Sequence, residues 1–190
     1  MKVLGILPFA RQLLTNAVSL GDSVIDGTAG NGHDTLFLAQ LVGKTGHVFA
    51  FDIQEQAILS TKERLETNDA LSQVTLYQQG HEAVKELLPT SSRGNIAGAI
   101  FNLGYLPGGD KAIVTKPDTT LLAITDIFSM LKKGGIIVLV IYYGHEEGKL
   151  EKDEVLNFVS KIDQTEAHVL SYQFLNQKNN PPFIVAIEKR

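Results

Sequence analysis

Asp26-Gly27-Thr28-Ala29-Gly30-Asn31-Gly32-His33-Asp34 lies between a short apolar run, Ser23–Asp26, and a segment with helical spacing, Asn31–Leu41. Glycines let a backbone turn tightly and let a ligand approach it closely, so this stretch reads as the turn between a strand and a helix. Strand-like runs recur after it: His47–Asp52, Val74–Gln79, Ile96–Asn102, Gly135–Tyr143, His168–Asn176 and Phe183–Lys189. Helical spacing of apolar residues marks Pro8–Ser19, Gln54–Asn68, Glu82–Leu88, Pro117–Lys132 and Lys152–Ile162. Such alternation predicts an α/β fold with a mostly parallel sheet and helices on both faces. The link Asn176–Pro182 is too short for a crossover helix, so the last two strands are expected to form an antiparallel hairpin. The expected sheet has seven strands, one of them reversed.

The chain has 190 residues, 44% of them apolar and 20% charged, which excludes a disordered chain and predicts one domain over 1–190. It contains no cysteine, so disulfide scaffolds, thiolate metal sites and cysteine nucleophiles are excluded. No apolar run reaches the roughly 18 residues of a transmembrane helix. Met1–Leu7 is too short an apolar stretch for a signal peptide, and the expectation is a cytoplasmic protein. A net charge of -4 argues against bulk coating of nucleic acid but leaves room for a local basic patch.

Two ligand classes suit the glycine turn. A dinucleotide fingerprint needs a third glycine where Thr35 stands, and Asp26 and Asp34 would crowd a diphosphate with negative charge. S-adenosylmethionine, with an ammonium and a sulfonium, suits the same acids. Asp52 closes the second strand, where an acid accepts ribose hydroxyls from either ligand class. Gln54 follows it, and Gln79 and His81 lie at the end of the third strand, where a nucleotide-binding fold meets the adenine rim. The expected cofactor contacts are therefore Asp26, Gly27, Thr28, Gly30, Asn31, Gly32, Asp34, Asp52, Gln54, Gln79 and His81.

The turn, Asp52 and the strand order resemble class I, Rossmann-like S-adenosylmethionine-dependent methyltransferases. The segments DGTAGNGHDT, FDIQ, GHE, FNLGYLPGGDK, YYGHEEGK and NQKNNPPFIVAIEK together resemble a bacterial rRNA methylase family. Members of that family are assigned as tRNA (5-aminomethyl-2-thiouridine) methyltransferases. The resemblance implies methyl transfer to the amine nitrogen of a wobble uridine in tRNA, giving a 5-methylaminomethyl product. The alternatives are an rRNA or small-amine methyltransferase, a noncatalytic cofactor- or RNA-binding protein, and an oxidoreductase.

Asn102-Leu103-Gly104-Tyr105 is similar to the Asn-Pro-Pro-Tyr motif of amine-methylating enzymes, with Leu103 and Gly104 replacing the prolines. By that likeness Asn102 accepts hydrogen bonds from the target amine and Tyr105 stacks on the base. Leu106–Lys116, with Pro107, Gly108, Gly109, Asp110 and Lys111, is expected to serve as a substrate lid. Tyr142, Tyr143 and His145 are expected to line the acceptor pocket. His145, Glu146 and Glu147 lack ligand spacing to a second histidine, so no metal is expected. Asp110, Tyr143 and His145 are candidate general bases. The expected catalytic set is Asn102, Tyr105, Tyr143 and His145. The expected partner is a tRNA anticodon stem-loop, gripped across a homodimer, with Lys2, Arg11, Lys111, Lys116, Lys149, Lys178 and Asn176–Asn180 as candidate contacts.

Overall fold

The computed structural model describes residues 2–106, 108 and 113–190. Its seven strands are β1 (Ser23–Asp26), β2 (His47–Phe51), β3 (Val74–Tyr77), β4 (Ile96–Leu103), β5 (Leu131–Ile141), β6 (Ala167–Tyr172) and β7 (Phe183–Lys189). The helices are α1 (Ile6–Ala17), α2 (His33–Val42), α3 (Glu55–Thr67), α4 (Val84–Leu87), α5 (Pro117–Met130) and α6 (Glu146–Val159). One sheet runs in the order β3-β2-β1-β4-β5-β7-β6. The pairs among β1 to β5 are parallel, and β7 is antiparallel to both β5 and β6. This is the Rossmann-like class I methyltransferase architecture expected from the sequence, with the reversed strand between β5 and β6.

Side chains alternate across a strand, and this parity assigns each core residue to a face. Ile137, Leu139, Ile141, Phe101 and Leu103 point into one apolar layer with α4, α5 and α6. Ile136, Val138, Val140 and Ile100 point into the other, with α1 and α2. Both layers are fully buried at their centres, as a parallel sheet covered on both faces requires.

Several boundaries differ from the sequence expectation, among them the end of β6, at Tyr172 rather than Asn176. α6 begins at Glu146 rather than Lys152, with Gly148 buried in its first turn. A Cβ at Gly148 would sit 2.7 Å from both the His145 ring and the Tyr142 carbonyl. α5 stops at Met130 rather than Lys132, and β5 starts at Leu131. Lys132 is drawn out of the helix by Asp22, whose carboxylate accepts from its Nζ at 2.8 Å. Among the described residues no helix is long and apolar enough to cross a membrane.

Candidate active site

The carboxyl ends of β1, β2, β3, β4 and β5 converge on one edge, and the glycine turn leaves β1 there. Asp26 closes β1 completely buried. It accepts the Thr28 N–H at 3.1 Å and the Thr35 hydroxyl at 2.6 Å. Burial, reinforced by the Asp34 charge and more weakly by Asp52, pushes its pKa up to about 7. Asp26 therefore supports the turn from beneath. Gly27 is required because a Cβ would enter the Phe101 ring. Gly32 is left-handed, φ 76°, and a Cβ there would lie 2.8 Å from the Thr61 backbone.

Nearly every polar group of the turn is held by the protein. Gly30 O accepts from Thr61 Oγ1 at 3.0 Å, and Asn31 O accepts from Arg64 Nε at 2.6 Å. The N–H groups of Gly27, Ala29 and Gly32 donate to Ile100 O, Phe51 O and Ala29 O. Gly30 N–H donates to Asp52 Oδ2 at 2.9 Å. A diphosphate cradle needs free amides and no adjacent anions. Here the amides of Gly27, Thr28, Ala29, Gly30 and Gly32 are committed, and three carboxylates (Asp26, Asp34, Asp52) surround the turn. That donor set fits a cationic nucleoside ligand rather than a dinucleotide.

Asp52 is half-buried, and its Oδ1 also accepts the Gln54 N–H at 2.9 Å. An ionised carboxylate has about four acceptor positions, so two remain for ribose hydroxyls. Gln54 is half-buried and Gln79 is exposed at the end of β3. His81 was expected at the adenine rim, but its ring is buried edge-on to Phe101, with centroids 5.3 Å apart. Burial holds its pKa below the ordinary histidine value, so the ring is neutral and its Nδ1–H donates to Gly27 O at 3.0 Å. His81 thus holds the first carbonyl of the turn.

On the acceptor side, Asn102 is the next-to-last residue of β4 and lies on the α1–α2 face, following Ile100 in parity. Its backbone N–H donates to Thr28 Oγ1 at 2.7 Å, and its Nδ2 donates to Asp34 Oδ2 at 2.9 Å. Tyr142, next after Ile141, shares this face, and burial together with the Asp34 charge raises its pKa. Tyr143 falls on the opposite face, edge-on to Phe183 and beneath Lys152 Nζ at 5.1 Å. Tyr105 is exposed and its ring meets His145 edge-on at 5.6 Å, which brings those two candidates together. Gly108 is exposed, while Pro107, Gly109, Asp110 and Lys111 lie outside the described residues.

Several residues here escaped sequence reasoning. Glu151 on α6 is 1% exposed and accepts from Thr115 Oγ1 at 2.5 Å and Thr120 Oγ1 at 2.7 Å. Thr115 in turn takes the Gly104 N–H at 2.9 Å, so a buried carboxylate anchors the Asn102–Tyr105 loop. Burial raises the Glu151 pKa, against the pull of the two threonines. Thr61, Arg64 and Thr120 were also missed, since helical spacing alone does not reveal a side chain that reaches a neighbouring loop. Of the basic candidates, Arg11 is paired with Asp34 and Lys149 with Glu146. Lys2, Lys116 and Lys178 are exposed. Asn179 and Asn180 form a left-handed turn tip in the loop after β6, on the same edge as the site.

A family model described as "Putative rRNA methylase" matches residues 48–188. The chain is 37% identical over 188 residues to a chloroplastic tRNA (mnm(5)s(2)U34)-methyltransferase of Arabidopsis thaliana, covering 95% of this chain and 68% of the relative. A crystal structure described as a "putative rRNA-methylase" from Clostridium thermocellum superimposes with TM-score 0.96 at 41% identity, covering all of both chains. A methyltransferase from Streptococcus mutans, solved in complex with SAH, superimposes with TM-score 0.89 at 41% identity, covering 99% of both chains.

Proposed function

Because the chain belongs to this rRNA methylase family, an S-adenosylmethionine-dependent methyltransferase family, we propose that it methylates an amine nitrogen on tRNA. The proposed acceptor is the aminomethyl group of 5-aminomethyl(-2-thio)uridine at the wobble position, and the product is the 5-methylaminomethyl derivative. The observation that carries this reading is Asn102. Its side chain is fixed at the edge of the cofactor turn, and no described residue donates to its oxygen. The name of the Arabidopsis relative supports tRNA as the substrate class.

S-adenosylmethionine supplies, when bound, an electrophilic methyl group on a sulfonium. Asp52 and the turn hold the nucleoside end, and the anionic surroundings match the cation. Asn102 Oδ1 accepts an N–H of the amine and so directs its lone pair. Positioning of this kind contributes up to roughly 7–11 kcal/mol in favourable systems. An aliphatic amine has a free pKa near ~10, and burial in the site favours the neutral, reactive form. Tyr105, with His145 at its edge, offers a ring on which the uridine can stack. Lys2, Lys116, Lys178 and the Asn176–Asn180 loop are the proposed contacts to an anticodon stem-loop, gripped across a homodimer.

The test supplies purified protein and labelled cofactor to three acceptors: tRNA from a strain lacking the enzyme, tRNA never given the aminomethyl group, and rRNA. Label should enter only the first. Activity should fall as salt rises, since phosphate contacts release counterions. Equal labelling of the first two, or labelling of rRNA, overturns the substrate while leaving the methyltransferase assignment in place.

A further inference from the structure

Asn102 is tied to two different elements. Its backbone is held by Thr28 of the cofactor turn, and its side-chain Nδ2 donates to Asp34 Oδ2 at 2.9 Å in the first turn of α2. The other oxygen of Asp34 accepts from Arg11 Nε at 3.1 Å and from Arg11 Nη2 at 2.8 Å. Arg11 projects from α1 and rests over the Phe37 ring, 5.2 Å from its centroid. The chain Arg11–Asp34–Asn102 therefore joins α1, α2 and the end of β4 beside the cofactor turn.

A half-turn of an amide exchanges its oxygen and nitrogen at almost no steric cost. Only one of the two orientations serves an amine acceptor, because an N–H of the amine needs an oxygen to donate to. A carboxylate clamped by a guanidinium offers acceptors alone, so it draws Nδ2 and turns Oδ1 away from itself. We propose that Asp34, held by Arg11, is the positioning residue that sets the Asn102 amide with its oxygen toward the acceptor amine. This rests on the amine-transfer reading above. Asp34 acts through Asn102 and not by gripping the cofactor. The guanidinium has a second effect. It offsets the Asp34 charge, which would otherwise favour the protonated, unreactive form of an amine close by.

The test compares Asp34→Asn, Arg11→Gln, Asn102→Ala and the double variant Asp34→Asn/Asn102→Ala. Cofactor affinity is measured by calorimetry, and kcat and KM are measured on aminomethyl-bearing tRNA. Asp34→Asn should lower kcat about tenfold or more at little change in KM for tRNA, a loss well beyond whatever cofactor affinity is given up with the Asp34 charge. The double variant should be no slower than Asn102→Ala alone, because a residue acting through another adds nothing once that other is gone. Arg11→Gln, which keeps the carboxylate, should show a smaller loss of kcat. A loss of cofactor affinity in Asp34→Asn that matches or exceeds its loss of kcat, or multiplicative losses in the double variant, overturns the proposal. So does wild-type turnover in both Asp34→Asn and Arg11→Gln while Asn102→Ala is slow. If Asn102→Ala itself turns over like wild type, the amine-transfer reading falls first, and this inference with it.

Discussion

The Asn102 amide donates to Asp34 across 68 residues of sequence, at 2.9 Å, and so joins the end of β4 to the start of α2. The cofactor turn and the acceptor loop are thereby one hydrogen-bonded unit. Asn102→Ala should lower turnover about a hundredfold, the scale of a misplaced reactant, with cofactor affinity nearly unchanged. Calorimetry alongside single-turnover rates separates the two effects. A variant that lost only cofactor binding would remove Asn102 from the acceptor side.

Asp52 holds two backbone N–H groups, of Gly30 and Gln54, in addition to the ribose it is proposed to bind. Asp52→Ala should weaken S-adenosylmethionine by about 1.5–3 kcal/mol, roughly tenfold to a hundredfold. Asp52→Asn should cost less, since its carbonyl oxygen still accepts one of these bonds. Calorimetric titration of both, after circular dichroism shows the fold intact, checks the order.

Asp26 is pushed up to about 7 from an ordinary 3.8 by burial and the neighbouring Asp34 charge. The folded chain therefore keeps a proton that the unfolded chain has lost above about pH 4. Its stabilising contribution is present in full below that pH and is lost as pH rises through about 7, at up to about 1.4 kcal/mol per pH unit. Asp26→Asn cannot ionise, and its oxygen and nitrogen can still serve Thr28 N–H and the Thr35 hydroxyl. Relative to wild type, this variant should gain stability steadily between about pH 4 and 7. Urea unfolding at several pH values measures the difference, and a pH-independent difference would contradict the shifted ionisation.

Gly32 combines a left-handed backbone with contact against α3. Gly32→Ala should destabilise the protein by about 1–3 kcal/mol and displace the turn that the cofactor would touch. Gly134 is also left-handed, φ 75°, but has open space around it. Gly134→Ala should therefore cost less and leave cofactor affinity intact. Thermal unfolding and calorimetry on the two variants test the contrast.

What local pattern determines was legible in the chain itself. Apolar and β-branched runs located every strand, and helical spacing every helix, to within about four positions except at the start of α6, because a sheet covered on both faces needs apolar residues at successive positions. The glycine turn and Asp52 were legible because tight turns and strand-end acids leave composition signals. The first turns of α6, Glu146–Glu151, were not legible, since Leu150 is their one large apolar side chain and gives no helical spacing. Tertiary structure alone decided the partners. Parity along β5 set Tyr142 and Tyr143 on opposite faces, and only the sheet's coverage by α1 and α2 made the Tyr142 face the one that Asn102 and Asp34 share. His81 turned inward to Gly27, Glu151 rose beneath Gly104, and Arg11 reached Asp34, each at a separation of 23 or more residues. Such contacts depend on how strands order themselves in the sheet, and the residues that make them carry no mark of it in their own neighbourhood.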